Sequence, residues 1–238
     1  MQIDRPTIDA WLRRNNYSEY AFRGVLFDMD GVLFDSMPFH ARSWHEAFAG
    51  FGIAFSEYQV YLQEGSTGSQ TVNDVFMAQK GRYATDEEIN ALYERKCDLF
   101  QQYAQTVPMA GAHEVLEAVR QAGLKIGLVT GSGQKSLIGK LNQYYPGIFD
   151  PNNMVTAFDV QHSKPHPEPY LKGMVKLGIR PEETIVVENA PMGVRAAVAA
   201  GALTIGVNTG ILKREDLALA GADIVLDNMR QVAALFKD

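Results

Sequence analysis

The sequence predicts an α/β fold, a parallel sheet with helices on both faces and an all-helical cap inserted after the first strand. Three observations carry that prediction. From residue 107 onward, short apolar runs of strand type alternate with segments of helical spacing, the pattern of a parallel sheet covered on both sides. Residues 37–106 show helical spacing only, without strand-like alternation. A lone strand-type run at 25–27 precedes that helical block, so it belongs with the later strands and the block interrupts one core.

Each element has a local reason. Residues 1–21 form an extension in which Pro6 is followed by Ile8, Trp11 and Leu12 at helical spacing; it is expected to pack on the outside of the core without a chemical role. The core is assigned to 22–36 and 107–238, and the cap to 37–106. In the cap, a helix at 38–49 carries Phe39, Trp44, Ala47 and Phe48 as an apolar stripe and is closed by Gly50 and Gly52. Further cap helices are expected at 56–63, 69–79 and 86–103, separated by Gly65, Gly68 and Gly81. In the core, helices at 112–122, 134–142, 167–177, 192–200, 213–220 and 229–236 alternate with strands at 125–130, 154–157, 184–187, 203–207 and 223–226. Pro167 opens its helix at a position where a missing N–H costs nothing.

At 238 residues, the chain can hold one sizeable core and a smaller inserted domain. Its 22 basic and 28 acidic residues give a formal charge of −6, which disfavours nonspecific nucleic-acid binding. A phosphate substrate must then be drawn in by a metal or by a few placed cations. The single Cys97 excludes an internal disulfide and suits a reducing cytoplasm. No apolar run reaches the length of a membrane span, and the N-terminus lacks the basic and apolar regions of a secretory signal. The expectation is a cytoplasmic monomer with no nucleic-acid or membrane partner.

In open parallel sheets, ligands bind beyond the carboxyl ends of the strands. The first strand of this Rossmann-like core delivers Asp28 and Asp30, two residues apart and so able to project to one side. Two crowded carboxylates repel unless a cation or proton lies between them. The strand at 125–130 delivers Thr130, then Gly131, Ser132 and Gly133. Lys164 stands in Ser163-Lys164-Pro165, and the strand at 184–187 delivers Glu188 and Asn189. Taken singly, each has a bland reading as a turn, a helix start or a solvated lysine. Their occurrence in order on successive strand ends suits a magnesium ion and a phosphoryl group, since magnesium prefers oxygen ligands.

The string from Asp28 through Met29, Asp30, Gly31, Val32, Leu33, Phe34 and Asp35 to Ser36, with the three later motifs, resembles the haloacid dehalogenase-like phosphotransferases over nearly the whole chain after Phe22. The cap position and Val187-Glu188-Asn189-Ala190-Pro191-Met192-Gly193-Val194 resemble their beta-phosphoglucomutase-like branch. The resemblance implies Asp28 as nucleophile, Asp30 as acid/base, and Thr130 and Lys164, with Gly131 and Ser132, as holders of the phosphoryl group. It also implies Mg2+ bound by Asp28, the Asp30 carbonyl, Glu188 and Asn189. Asn189 departs from the family pattern, which carries aspartate there, so the site has one negative charge fewer.

The cap bears on the substrate. His40 and Lys96 match mutase positions that meet the acid/base and the substrate. Gly68 stands where mutases carry an arginine for a second phosphate, and Glu64 is expected to face the site. The string from Phe27 to Trp44, the Glu64-Gly65 loop and Val155-Thr156-Ala157-Phe158-Asp159-Val160 resemble a Bacteroides-type inorganic pyrophosphatase of the same branch, in which the cap glutamate is implicated in metal binding. The leading expectation is a magnesium-dependent phosphohydrolase acting on a small phosphorylated substrate, with inorganic pyrophosphate favoured. A sugar-phosphate mutase and a noncatalytic phosphate-binding relative are the alternatives.

Overall fold

The computed structural model describes residues 1–132 and 135–237, without the side chains of 135–138. Six parallel strands form one sheet: β1 (Gly24–Phe27), β2 (Lys125–Val129), β3 (Met154–Val155), β4 (Thr184–Glu188), β5 (Leu203–Val207) and β6 (Ile224–Leu226). Their spatial order is β3-β2-β1-β4-β5-β6, the doubly wound order. All six predicted strands are present, most within a residue or two of their expected bounds. Gly133 and Gln134, named in the phosphate-loop and helix expectations, lie outside the described residues.

Strand residues alternate between the two faces. Val25 and Phe27 join a cluster with α6 (Ala112–Gln121) and α11 (Met229–Leu235), whereas Leu26 faces α8 (Glu168–Leu177) and α9 (Pro191–Ala199). Because both faces are covered, β1, β4 and β5 are buried along their whole length.

Between β1 and α6 stand α2 (Met37–Gly50), α3 (Glu57–Leu62), α4 (Gly68–Lys80) and α5 (Asp86–Tyr103). Trp44, Phe48, Val72, Phe76, Leu92 and Leu99 form their shared apolar interior, which also takes in Val194, Leu212 and Leu217 from the sheet side. Capping boxes at Ser56/Gln59 and Thr85/Glu88 fix the starts of α3 and α5.

The N-terminal extension is more deeply set than expected. Its helix α1 (Arg5–Asn15) starts at the Asp4 cap and carries a fully buried Trp11, whose indole N–H donates to the Gly201 carbonyl at 3.1 Å. Ile8 and Trp11 therefore complete the main core rather than lie over it. α7 (Lys135–Tyr144) and α10 (Arg214–Leu219) complete the α-helices among the described residues, beside two short 3-10 turns at Ala157–Asp159 and Pro181–Glu183.

Candidate active site

Strand order builds the site. β1 pairs with β2 on one side and β4 on the other, so the chain leaves all three at one rim with Asp28, Thr130 and Glu188 as neighbours. Phe27 is in register with Leu128 and Val187, and the Asp28 N–H donates to the Val187 carbonyl at 3.1 Å.

Lys164 is the hub of the rim. Its Nζ lies 2.6 Å from Asp28 Oδ1, 2.6 Å from Glu188 Oε1 and 3.1 Å from the Val129 carbonyl. At 1% exposure it is fully desolvated, which it tolerates because two carboxylates surround it. Burial lowers its affinity for a proton, but Asp28 and Glu188 more than reverse that and hold the ammonium well above its ordinary value. Asp28 is driven the other way. Burial raises its carboxyl pKa well above the usual range, Lys164 opposes this, and the charges of Glu188 and Asp30 add to it.

Glu188 is the support of that hub. Its Oε1 also accepts from the Tyr170 hydroxyl at 2.7 Å, and Oε2 accepts the N–H groups of Asn189 at 3.0 Å and Ala190 at 3.2 Å. A Cβ at Gly193 would collide with this carboxylate, so only glycine lets α9 approach it. Expected as a metal ligand, Glu188 thus has both oxygens engaged by protein donors.

Asp30 sits beyond a tight turn at Gly31, whose φ of +81° and closeness to the Asn189 amide both call for glycine. The Ser36 hydroxyl donates to Asp30 Oδ1 at 2.6 Å, and His40 Nε2 lies 3.3 Å from the same oxygen without the alignment of a hydrogen bond. Burial alone would raise the Asp30 pKa; His40 and the Ser36 hydrogen bond outweigh it, and the net shift is downward.

Behind His40, Lys96 Nζ is 3.0 Å from Nδ1 and packs over the rings of Phe100 and Trp44. An ammonium can only donate, so Nδ1 is the acceptor and the neutral ring's proton is on Nε2, toward Asp30. Burial and the Lys96 charge lower the His40 pKa against the pull of Asp30, which favours this neutral form.

The cap closes over these groups. Gly131 lies directly under Gly65, where a Cβ would come within 2.6 Å of the Gly65 carbonyl oxygen, and Ser66 Oγ donates to the Lys164 carbonyl at 3.4 Å. A cavity of about 40 Å³ remains, walled by Asp30, His40, Glu64, Lys96, Gly131 and Ser132 among others. Glu64 is half-buried there; burial first, then the Asp30 charge, push its carboxyl up to about 7.

The structure thus brings Asp28, Asp30, Thr130, Lys164, Glu188 and Asn189 to one rim and His40, Glu64, Lys96, Gly131 and Ser132 to the cavity beside it. Sequence reasoning assigned no role to Ser36, although it closes the first motif. It also missed Tyr170 and Gln63, whose Oε1 is buried without a hydrogen-bond partner. No local pattern marks either one.

The donor set fits a hard cation. Asn189 Oδ1 is buried with no hydrogen-bond partner. Among the described residues, the cations set against Asp28, Asp30, Glu64 and Glu188 are Lys164 and Lys96. Oxygen donors with an excess of negative charge are what magnesium takes.

Residues 25–207 match the family model described as haloacid dehalogenase-like hydrolase. The chain belongs to that family. Among curated relatives of this hydrolase, hexitol phosphatase A of Escherichia coli (strain K12) is 30% identical over 213 residues, covering 88% of this chain and 93% of the relative. Phosphoglycolate phosphatase of Salmonella choleraesuis is 26% identical, covering 88% and 90%. A Bacteroides vulgatus structure provisionally described as a beta-phosphoglucomutase is 44% identical, with a TM-score of 0.90 and 98% of each chain covered. The beta-phosphoglucomutase of Clostridium difficile is 25% identical at a TM-score of 0.71, covering 88% and 92%. The hydrolase therefore stands among phosphatases and phosphomutases, in the beta-phosphoglucomutase-like part of its family. Among the described residues, no helix is long and apolar enough to cross a membrane.

Proposed function

We propose that this hydrolase is a magnesium-dependent phosphatase that works through an aspartyl-phosphate on Asp28 and prefers inorganic pyrophosphate or a similarly small phosphate compound. The cavity between cap and core carries the substrate reading. On the scale where one water needs roughly 10–15 Å³, its volume of about 40 Å³ is small, and it is lined mainly by polar groups. At Gly68, where a mutase needs an arginine, a Cβ would already overlap the ring of Tyr93. A sugar bisphosphate would find neither room nor its cationic anchor, whereas a diphosphate needs no sugar pocket.

In this reading the Asp28 carboxylate attacks phosphorus while the P–O bond to the leaving group breaks. Asp30 gives a proton to the departing oxygen and later takes one from the water that hydrolyses the aspartyl-phosphate. Ser36 holds Asp30 in place for both transfers, with His40 Nε2 3.3 Å from the same oxygen. Lys164 and Thr130 bind the transferred phosphoryl oxygens, and the Lys164 charge opposes the burial that raises the Asp28 pKa. Asp28, the Asp30 carbonyl, Glu188 and Asn189 Oδ1 would hold magnesium, which would supply charge neutralisation at the phosphoryl group. Glu188 also positions Lys164. Glu64 would face that cation from the cap side.

Steady-state phosphate release tests this, using pyrophosphate, a hexitol phosphate, an aryl phosphate and β-glucose 1-phosphate, each with and without magnesium. The expected result is magnesium-dependent turnover with kcat/KM highest for pyrophosphate. A clear preference for the hexitol phosphate would overturn the substrate reading. Conversion of β-glucose 1-phosphate to glucose 6-phosphate would restore the mutase.

A further inference from the structure

The loop that delivers Lys164 inward has a second chemistry on its outer side. We propose that His162, His166 and Glu168 form a binding site for a zinc-class transition-metal ion, and that its occupation restrains the Lys164 loop. One ligand atom from each residue lies within 4.8 Å of the other two. The two imidazole rings are 4.7 Å apart at 34°, and His162 Nδ1 lies 3.0 Å from Glu168 Oε2. Small side-chain rotations would close these atoms around one ion, at the roughly 2.0–2.2 Å bonds zinc makes to nitrogen and oxygen.

The carboxylate is already held in place. Glu168 accepts the N–H groups of Gln161 at 3.0 Å and His162 at 2.9 Å and pairs with Lys172 at 2.6 Å, so its oxygens are oriented as a ligand's supporting shell requires. Pro165 and Pro167 flank His166 and restrict the backbone on either side, leaving little chain entropy to lose on binding. Two imidazoles and a carboxylate suit zinc, copper or nickel and are a poor set for magnesium, which separates this site from the oxygen-lined one at Asn189. His162 is 62% exposed, which leaves a coordination position for water.

Position gives the site a consequence. Lys164 lies between the two histidines in the chain, so an ion bound to both spans the segment that carries it. The same loop walls a cleft of about 610 Å³ with Thr67, Ser69 and Asp74 of the cap. Ligation there stiffens the loop at the cap–core boundary and slows turnover. This second half rests on the phosphatase reading; the binding site itself does not.

Equilibrium dialysis of the full chain with zinc in saturating magnesium tests the site. The parent should hold one zinc ion that the double variant His162→Gln/His166→Gln lacks, with a loss of affinity beyond the roughly 10–100-fold expected from removing only a supporting residue. Asp28→Asn should retain that ion, since it alters only the inner site. Equal zinc binding by parent and double variant would overturn the proposal. In phosphate release without zinc, the parent and double variant should turn over alike; with zinc, the parent alone should slow at saturating magnesium. Zinc bound without any slowing would overturn the restraint. Absence of phosphate release from every substrate would instead overturn the phosphatase reading, and the dialysis result would still stand.

Discussion

The core rim and the cap wall differ in how far their polar atoms are satisfied. On the rim, Lys164 holds Asp28 and Glu188, Tyr170 and two backbone N–H groups complete Glu188, and Ser36 holds Asp30. The exception is Asn189 Oδ1, the atom assigned to the cation. On the cap wall, Gln63 Oε1 and His40 Nε2 are buried without hydrogen-bond partners, and Glu64 is held half-way to protonation near neutral pH. A fully satisfied buried network is rigid and costly to disturb; unsatisfied groups gain when a ligand arrives. The rim is therefore built for one reaction, and the cap wall for choosing what undergoes it.

The largest expected effect breaks the rim at its nucleophile. Asp28→Asn should cut kcat by about 10⁴-fold or more while circular dichroism stays that of the parent, in the range seen when other enzymes lose a nucleophile. Retention of a tenth of the activity would move the covalent step elsewhere.

Next, Lys164→Met removes the one cation from two buried carboxylates. Breaking a buried pair on one side costs about 3–5 kcal/mol, so the urea midpoint should fall sharply along with activity. An unchanged midpoint would mean that the rim is far wetter than its 1% exposure at Lys164 implies.

The cap wall should respond more selectively. Glu64→Ala is expected to lower pyrophosphate hydrolysis by about 30- to 150-fold, equivalent to about 2–3 kcal/mol for a charge-assisted contact. Hydrolysis of an aryl phosphate, which depends mainly on the rim, should fall less. Equal losses on both substrates would erase the distinction between the two regions.

The smallest effect sharpens the cation's place. Asn189→Asp adds a negative charge beside Asp28 and should lower the magnesium concentration for half-maximal activity several-fold. A titration with no shift would take residue 189 out of the coordination sphere.

Much of this was legible before any coordinates. Strands and helices were readable because periods of two and 3.6 residues, with glycine and proline as punctuation, are local properties of the chain. The rim residues were readable because a parallel sheet presents its strand ends to one side, so Asp28, Thr130 and Glu188 could be marked without knowing which strands touch. The placement of Trp11 was harder. Its helical spacing was visible, but the Gly201 carbonyl that receives its N–H lies 190 residues away.

The relations between distant segments came from packing alone. The order that puts β1 between β2 and β4 makes one rim out of three strand ends. Tyr170 reaches Glu188 because α8 crosses the sheet face beneath it, and that bond helps orient the carboxylate that holds Lys164. Tyr93 of α5 fills the space beside Gly68 of α4, which no spacing rule relates. Residue order sets which chemical groups the chain carries and on which kind of element. Their partners followed from strand order and helix packing, which depend on how the whole core is filled.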